Sequence, residues 1–273
     1  MVTRTSDSRH GGRSANLLVM TRAALKAGRG LIRDFGEVEN LQVSRKGPAD
    51  FVSTADLRSD KILREELSFA RPGYSFLTEE SGETKGTDEE FRWIIDPLDG
   101  TSNFLHSIPH FCISIALEQA GEIIAGVIYD PLRDEMFCAE KGMGAFVNNR
   151  RLRVSGRTDL TESMLATGIP FSGHGDREAF VKELQVMMGE IAGVRRLGAA
   201  ALDLAYVAAG KFEGYWERDL CPWDVAAGIL LVQEAGGYVT EIDGGKDVLA
   251  CKSILAAPPL LYPQLQKLLK SAT

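Results

Sequence analysis

The sequence has little that would let it work as a thiol, zinc or nucleic-acid protein. Four cysteines stand among 273 residues, at Cys112, Cys138, Cys221 and Cys251, and no two form a CxxC pair. That spacing argues against a zinc knuckle or a redox pair and fits reduced thiols in the cytoplasm. Positive charge is in deficit: 31 Lys and Arg against 38 Asp and Glu leave a net charge of −7. Such a chain is a poor binder of phosphate backbones, so no direct nucleic-acid contact is expected. No apolar run approaches the ~20 residues of a membrane span, so no membrane contact is expected either. The start, MVTRTSDSRHGGRSAN, lacks the apolar core of a signal peptide, and residues 1–13 read as a disordered lead. There is no P-loop, no HExxH and no dinucleotide fingerprint. Internal repeats and low-complexity linkers are absent too.

What is present is apolar content (44%) sufficient for a sizeable core. Leu17, Met20, Ala24, Gly28, Leu31 and Phe35 recur at helical spacing, with Gly36 as a C-terminal cap. A second helix is expected from Ser53 or Thr54 to just before Pro72. It carries Leu63, Leu67 and Ala70 on one face and Asp56 and Asp60 toward the core. YSFLTEES and FRWIID read as short strands; FCISIALEQ, EIIAGVIYD and EMFCAEKGMGAFVNN read as an antiparallel set. The second half alternates: helix 177–190, strand 193–196, helix 199–209, strand 212–216, helix 224–235, two short strands and a C-terminal helix. This change of pattern predicts two packed subdomains, 14–154 and 155–273, together forming one domain.

One stretch concentrates the chemistry. WIIDPLDGTSNF, residues 93–104, begins as a strand buried on both sides and ends on Asp96 and Asp99. Pro97 lacks an N–H, so the sheet ladder is expected to end there. Gly100 allows a tight turn and close approach of a ligand, and the amides after it are free to face an anion. An Asp-Pro turn with an Asp cap is the bland alternative. Against it stands the carboxylate density: like charges ~4 Å apart repel by several kcal/mol at an effective dielectric near 20, which a metal or a proton must offset. LTEES adds Glu79 and Glu80 at another strand end, where a solvated turn is the alternative and is retained for Glu80. CPWDVAAGILLVQEAGG adds Asp224 at a helix start, where it reads as an N-cap that can also be a ligand. Hard oxygen donors without sulfur suit Mg²⁺, Mn²⁺ or Ca²⁺. Carboxylates beside anion-binding amides point to a phosphate ester handled by bound metal.

TEES (78–81), WIIDPLDGTSNF (93–104) and WDVAAGILLVQEAGG (223–237), in this order, resemble the motifs of the inositol monophosphatase family. RRLGAAALDLAYVAAGKFEGYWE resembles its bacterial extragenic-suppressor branch. The resemblance runs from about Ala15 to the C-terminal helix and implies a mixed α and β, layered αβαβα sugar-phosphatase fold. It implies that Glu79, Asp96, Asp99, Asp224 and the Leu98 carbonyl hold metal, and that Asp56 lies near a weaker third site. It further implies that Glu217 binds polyol hydroxyls and that Gly198, Ala199 and Ala200 line the substrate pocket. Asp99, Gly100, Thr101 and Asp224 would also touch substrate.

The activity so implied is Mg²⁺-dependent hydrolysis of a phosphate monoester, foremost myo-inositol monophosphate, by metal-activated water. Two or three Mg²⁺ would serve each site. Glu79 and the Thr101 hydroxyl would orient the water and accept its proton. Lithium inhibition, a homodimer and contact with transcription machinery are also implied. Related sugar, histidinol or nucleotide phosphates are the alternative substrates. The chain departs from the family pattern at RKGPADF, which leaves Lys46 without a role, and at Arg218-Asp219 after Glu217. His106 and His110 are separated by Pro109, which counts against a helical ligand pair. Cys221 is expected to be a packed thiol.

Overall fold

The computed structural model describes residues 14–47, 50–171, 175–251 and 253–272, without the side chains of residues 40, 45–47, 50, 51 and 251. The expectation for residues 1–13 and the Lys46 side chain therefore fall outside the described residues.

The chain opens with helix α1 (Ala15–Phe35), a short hairpin of β1 (Val43–Gly47) and β2 (Asp50–Ser53), and helix α2 (Thr54–Ala70). Ser14 starts α1 by accepting from Leu17 N at 3.1 Å, and Gly36 is its C-cap. Ser53 starts α2: its hydroxyl accepts from Ala55 N at 3.1 Å, while its own N–H donates to Asp56 at 2.9 Å. This reciprocal cap fixes the first turn and points Asp56 inward.

An eight-stranded sheet follows, in the spatial order β10-β9-β8-β7-β6-β5-β3-β4. Its strands are β3 (Tyr74–Thr78), β4 (Gly82–Thr84), β5 (Asp88–Asp99), β6 (Cys112–Gln119), β7 (Glu122–Asp130), β8 (Glu135–Glu140), β9 (Gly144–Val147) and β10 (Arg150–Arg151). The short helix α3 (Thr101–Leu105) interrupts the run between β5 and β6. β6 to β9 form the antiparallel set read from the sequence, whereas β3 pairs parallel with β5.

The second half contributes β11 (Met164–Thr167), α4 (Arg177–Met188), β12 (Gly193–Arg195), α5 (Ala200–Ala208), β13 (Gly214–Arg218), α6 (Pro222–Glu234), β14 (Tyr238–Thr240), α7 (Val248–Cys251), β15 (Ser253–Ala257) and α8 (Tyr262–Ser271). Its five strands order as β12-β11-β13-β15-β14. β11 is absent from the sequence reading: MLAT is too short to show a period.

Five layers result. α1 and α2 cover one face of the large sheet, α5 and α6 fill the space between the sheets, and α4 and α8 pair on the far side of the small sheet. This is the expected αβαβα order. Alternation within the strands explains it. Trp93, Ile95, Ile113, Ile115, Leu117 and Val127 pack with Met20, Leu31, Leu63 and Leu67 of α1 and α2. Their neighbours Ile94, Cys112, Ala116 and Ile128 turn to α5 and α6. Helices on both faces account for the near-continuous apolar runs in β5 to β7. α6 is apolar all round because it lies between two sheets. Among the described residues no helix is long and apolar enough to cross a membrane.

Candidate active site

Asp96 and Asp99 are three residues apart, and in an unbroken strand they would point to opposite faces. The structure corrects the expectation that pairing ends at Pro97. Asp96 pairs with Ser114 and Asp99 with Cys112, so three steps on β5 match two on β6. One extra residue bulges out at the Pro97-Leu98 step, the kind of place where a strand accommodates a proline. The bulge returns Asp99 to the face of Asp96, toward α5 and α6. It is tied down on both sides. Leu98 N donates to Asp96 Oδ1 at 3.0 Å, and Ser59 of α2 donates to the Pro97 carbonyl at 2.7 Å.

Gly100 follows with φ +97, a left-handed conformation. A Cβ there would stand 3.0 Å from the His110 carbonyl and 3.3 Å from Phe111 Cα. The close packing and the dihedral both demand glycine. α3 then starts at Thr101. The Thr101 hydroxyl has two acceptors in reach, Asp56 Oδ1 at 2.8 Å and the Leu98 carbonyl at 3.0 Å.

Glu79 arrives from the turn after β3, with its N–H on the Ile95 carbonyl at 3.1 Å. Asp224 arrives from the first turn of α6. It is not the N-cap expected from the sequence: Cys221 holds that position, and Asp224 sits three residues on, accepting from Cys221 N at 2.7 Å. Asp99 accepts from Ala201 N at the start of α5 at 2.8 Å. Asn103 links α3 to the wall of the site, donating to the His110 and Leu197 carbonyls at 2.8 Å each.

These segments enclose one cavity of ≈ 220 Å³. Glu79, Asp96, Leu98, Asp99, Gly100, Thr101, Gly198, Ala199, Ala200, Glu217 and Asp224 all border it. Every residue expected at the site is there except Asp56, which reaches it only through Thr101; both Asp56 oxygens are engaged, one by Thr101 and one by Ser53. The sequence reading missed Thr167, Gly168, Arg196 and Asp203, which also border the cavity. Arg196 stood two residues before the pocket glycine and could have been found by that adjacency; Asp203 had no such signal.

The electrostatics are those of crowded acids. Burial first, and then Glu79, Asp99 and Asp224, push the Asp96 carboxyl well above the carboxylate range. Burial likewise raises Asp99 to about 7, against hydrogen bonds from Ala201 and Cys112. Asp224 is driven well up by burial and by Asp99, Glu79 and Glu217. Glu217 rises to about 7 through burial, restrained by the Tyr215 hydroxyl and by Arg196. Glu217 and Asp224 keep part of their surface open to the cavity, although protein atoms surround them closely.

No Lys or Arg among the described residues forms an ion pair with Asp96, Asp99 or Asp224. Nor do three His, Cys, Asp or Glu side chains among them stand close enough together to form a ready-made ligand cluster. The donor set still fits a hard divalent cation: carboxylates and a backbone carbonyl bordering one cavity. His110 is not part of it. Its ring is buried beside Asp203, and burial with Arg133 nearby lowers it to about 4. Cys221 is the N-cap residue of α6 and is half-buried, not fully packed as expected.

Residues 15–273 match the model of the inositol monophosphatase family. An inositol-1-monophosphatase of Mesorhizobium japonicum is 56% identical over 258 residues, 94% of this chain and 97% of that protein. The Nus factor SuhB of Escherichia coli is 42% identical, over 89% of this chain and 91% of its own length. The crystal structure of the extragenic suppressor protein SuhB of Bartonella henselae superposes with a TM-score of 0.93 at 54% identity, covering 95% of this chain and all of that one.

Proposed function

This chain belongs to the inositol monophosphatase family, and from that premise we propose that it hydrolyses small polyol monophosphates, myo-inositol monophosphate foremost, with Mg²⁺ as cofactor. The observation that carries the reading is the bulge in β5, which turns Asp96 and Asp99 to one cavity bordered also by Glu79 and Asp224. Two Mg²⁺, held through Glu79, Asp96, Asp99, Asp224 and the Leu98 carbonyl with a weaker third near Asp56, would supply a water of lowered pKa and positive charge for the phosphate and leaving oxygens.

The chain's own groups do the rest. Glu79 and the Thr101 hydroxyl orient the attacking water, and Glu79 takes its proton. Asp56, fixed by Ser53, holds the Thr101 hydroxyl in place. The amides of Gly100 and Thr101 face the phosphate oxygens. Gly198, Ala199 and Ala200 leave room for the alcohol, and Glu217 receives its hydroxyls. No side chain needs to form a covalent phosphoenzyme.

The test is phosphate release with and without Mg²⁺ across inositol, histidinol, fructose-1,6-bis- and nucleotide 3′-phosphates. A hundredfold preference for a substrate other than inositol monophosphate moves the assignment within the class; no Mg²⁺-dependent release from any of them overturns it. Li⁺ should inhibit. A cytoplasmic homodimer and the two subdomains, 14–154 and 155–273, each with its own sheet, belong to the same reading. The likeness to a Nus factor favours a second role, a protein contact in transcription or ribosomal RNA maturation. Partner capture by an inactive metal-ligand variant separates this role from catalysis.

A further inference from the structure

Asp203 of α5 borders the cavity and is 2% exposed, yet its Oδ1 has no hydrogen-bond partner. It faces His110 Nε2, also buried and unpartnered, at 3.9 Å, beyond hydrogen-bonding distance. Buried polar atoms without partners are uncommon and call for an explanation, and here two of them face each other across one gap beside the cavity. The His110 ring is braced by Tyr206, edge-on at 6.0 Å. Its backbone is braced by Asn103. At neutral pH the imidazole is uncharged and keeps one N–H to give.

The chemistry of the cavity is graded. Amides after Gly100 offer donors, which suit phosphate oxygens. Asp203 and Glu217 offer carboxyl groups, which suit hydroxyls, with Arg196 beside both. We propose that Asp203 is a second hydroxyl-binding, specificity-determining residue, positioned by His110, and that the substrate is an alcohol phosphate with at least two free hydroxyls, one for Glu217 and one for Asp203. One Asp203 oxygen turns to His110, and the other is left for the substrate. This rests on the phosphatase reading above.

The experiment compares kcat and KM for myo-inositol 1-phosphate and for p-nitrophenyl phosphate, which has no free hydroxyl, at saturating Mg²⁺. Asp203→Ala should lower kcat/KM for the inositol ester about tenfold to a hundredfold, chiefly through KM, and change the aryl ester by less than about twofold. Asp203→Asn, which keeps the volume should the alanine variant not fold, should show the same selectivity at about threefold or more. His110→Phe should reproduce the pattern more weakly. Equal losses on both substrates, or none, overturn the assignment of Asp203 and leave the phosphatase reading standing. Wild-type protein inactive on both substrates overturns the two together.

Discussion

Removing divalent cations should make the protein less stable as pH rises toward neutrality. In the folded state Asp99 and Glu217 titrate at about 7, against ordinary values of 3.8 and 4.5. A raised acid holds its proton in the folded state after the unfolded chain has lost it, so stability falls as pH climbs through that window. Each group contributes a fall of about 1.4 kcal/mol per pH unit, or about 5 kcal/mol for the pair between pH 5 and 7. His110 works the other way. It is lowered from 6.5 to about 4, so the unfolded chain binds its proton more tightly, and stability rises by about 2 kcal/mol up to pH 6.5. The net fall is about 3 kcal/mol between pH 5 and 7. Asp96, Asp203 and Asp224 are raised as well and act in the same sense. At about 2.1 cal/mol/K per residue of unfolding entropy, this is a drop of roughly 5 °C in Tm. The assay is thermal unfolding in chelator at pH 5, 6 and 7, repeated in millimolar MgCl₂. Cation binding to the ionised carboxylates should cancel the fall. A Tm in chelator that is flat or rising from pH 5 to 7 would refute the crowded-acid site, as would an unchanged slope with Mg²⁺.

Other substitutions probe single parts of the site. Asp96→Asn should cut Mg²⁺-dependent phosphate release by about a thousandfold or more while raising Tm in chelator at neutral pH, because asparagine is neutral without the proton that the buried Asp96 carboxyl must take up on folding; near-normal turnover removes Asp96 from the ligand set. Gly198→Ala should destabilise by about 1–3 kcal/mol and weaken substrate binding. Gly198 has φ +90, and a new Cβ would stand 2.6 Å from Arg196 Nη1; denaturant unfolding and KM give the answer. Asn103→Ala leaves the His110 and Leu197 carbonyls without their donor and should cost about 1–3 kcal/mol by denaturant melts. Ser59→Ala, which frees the Pro97 carbonyl, should cost about 1 kcal/mol and lower turnover by loosening the bulge, a loss that Ser59→Thr should partly restore.

The sequence by itself determined the local elements and the chemical inventory. Helical spacing in α1 and the apolar runs of β5 to β7 are consequences of periodicity and burial, and they are written in neighbouring residues. So are the turn residues of DPLDGT and the oxygen-only donor set. Three things were decided by tertiary structure alone. The bulge at Pro97 needs the β6 register to be seen, since parity along β5 assigns Asp96 and Asp99 to opposite faces. Cys221, not Asp224, caps α6, because the capping geometry depends on where the chain enters the layer between the sheets. Asp203 and Arg196 join the cavity only because α5 and the loop before it are packed against Asp99 through Ala201 and Asn103. Local sequence sets what a residue prefers. Which groups share a cavity is set by contacts between segments more than a hundred residues apart, and those follow from how two sheets close on one pair of helices.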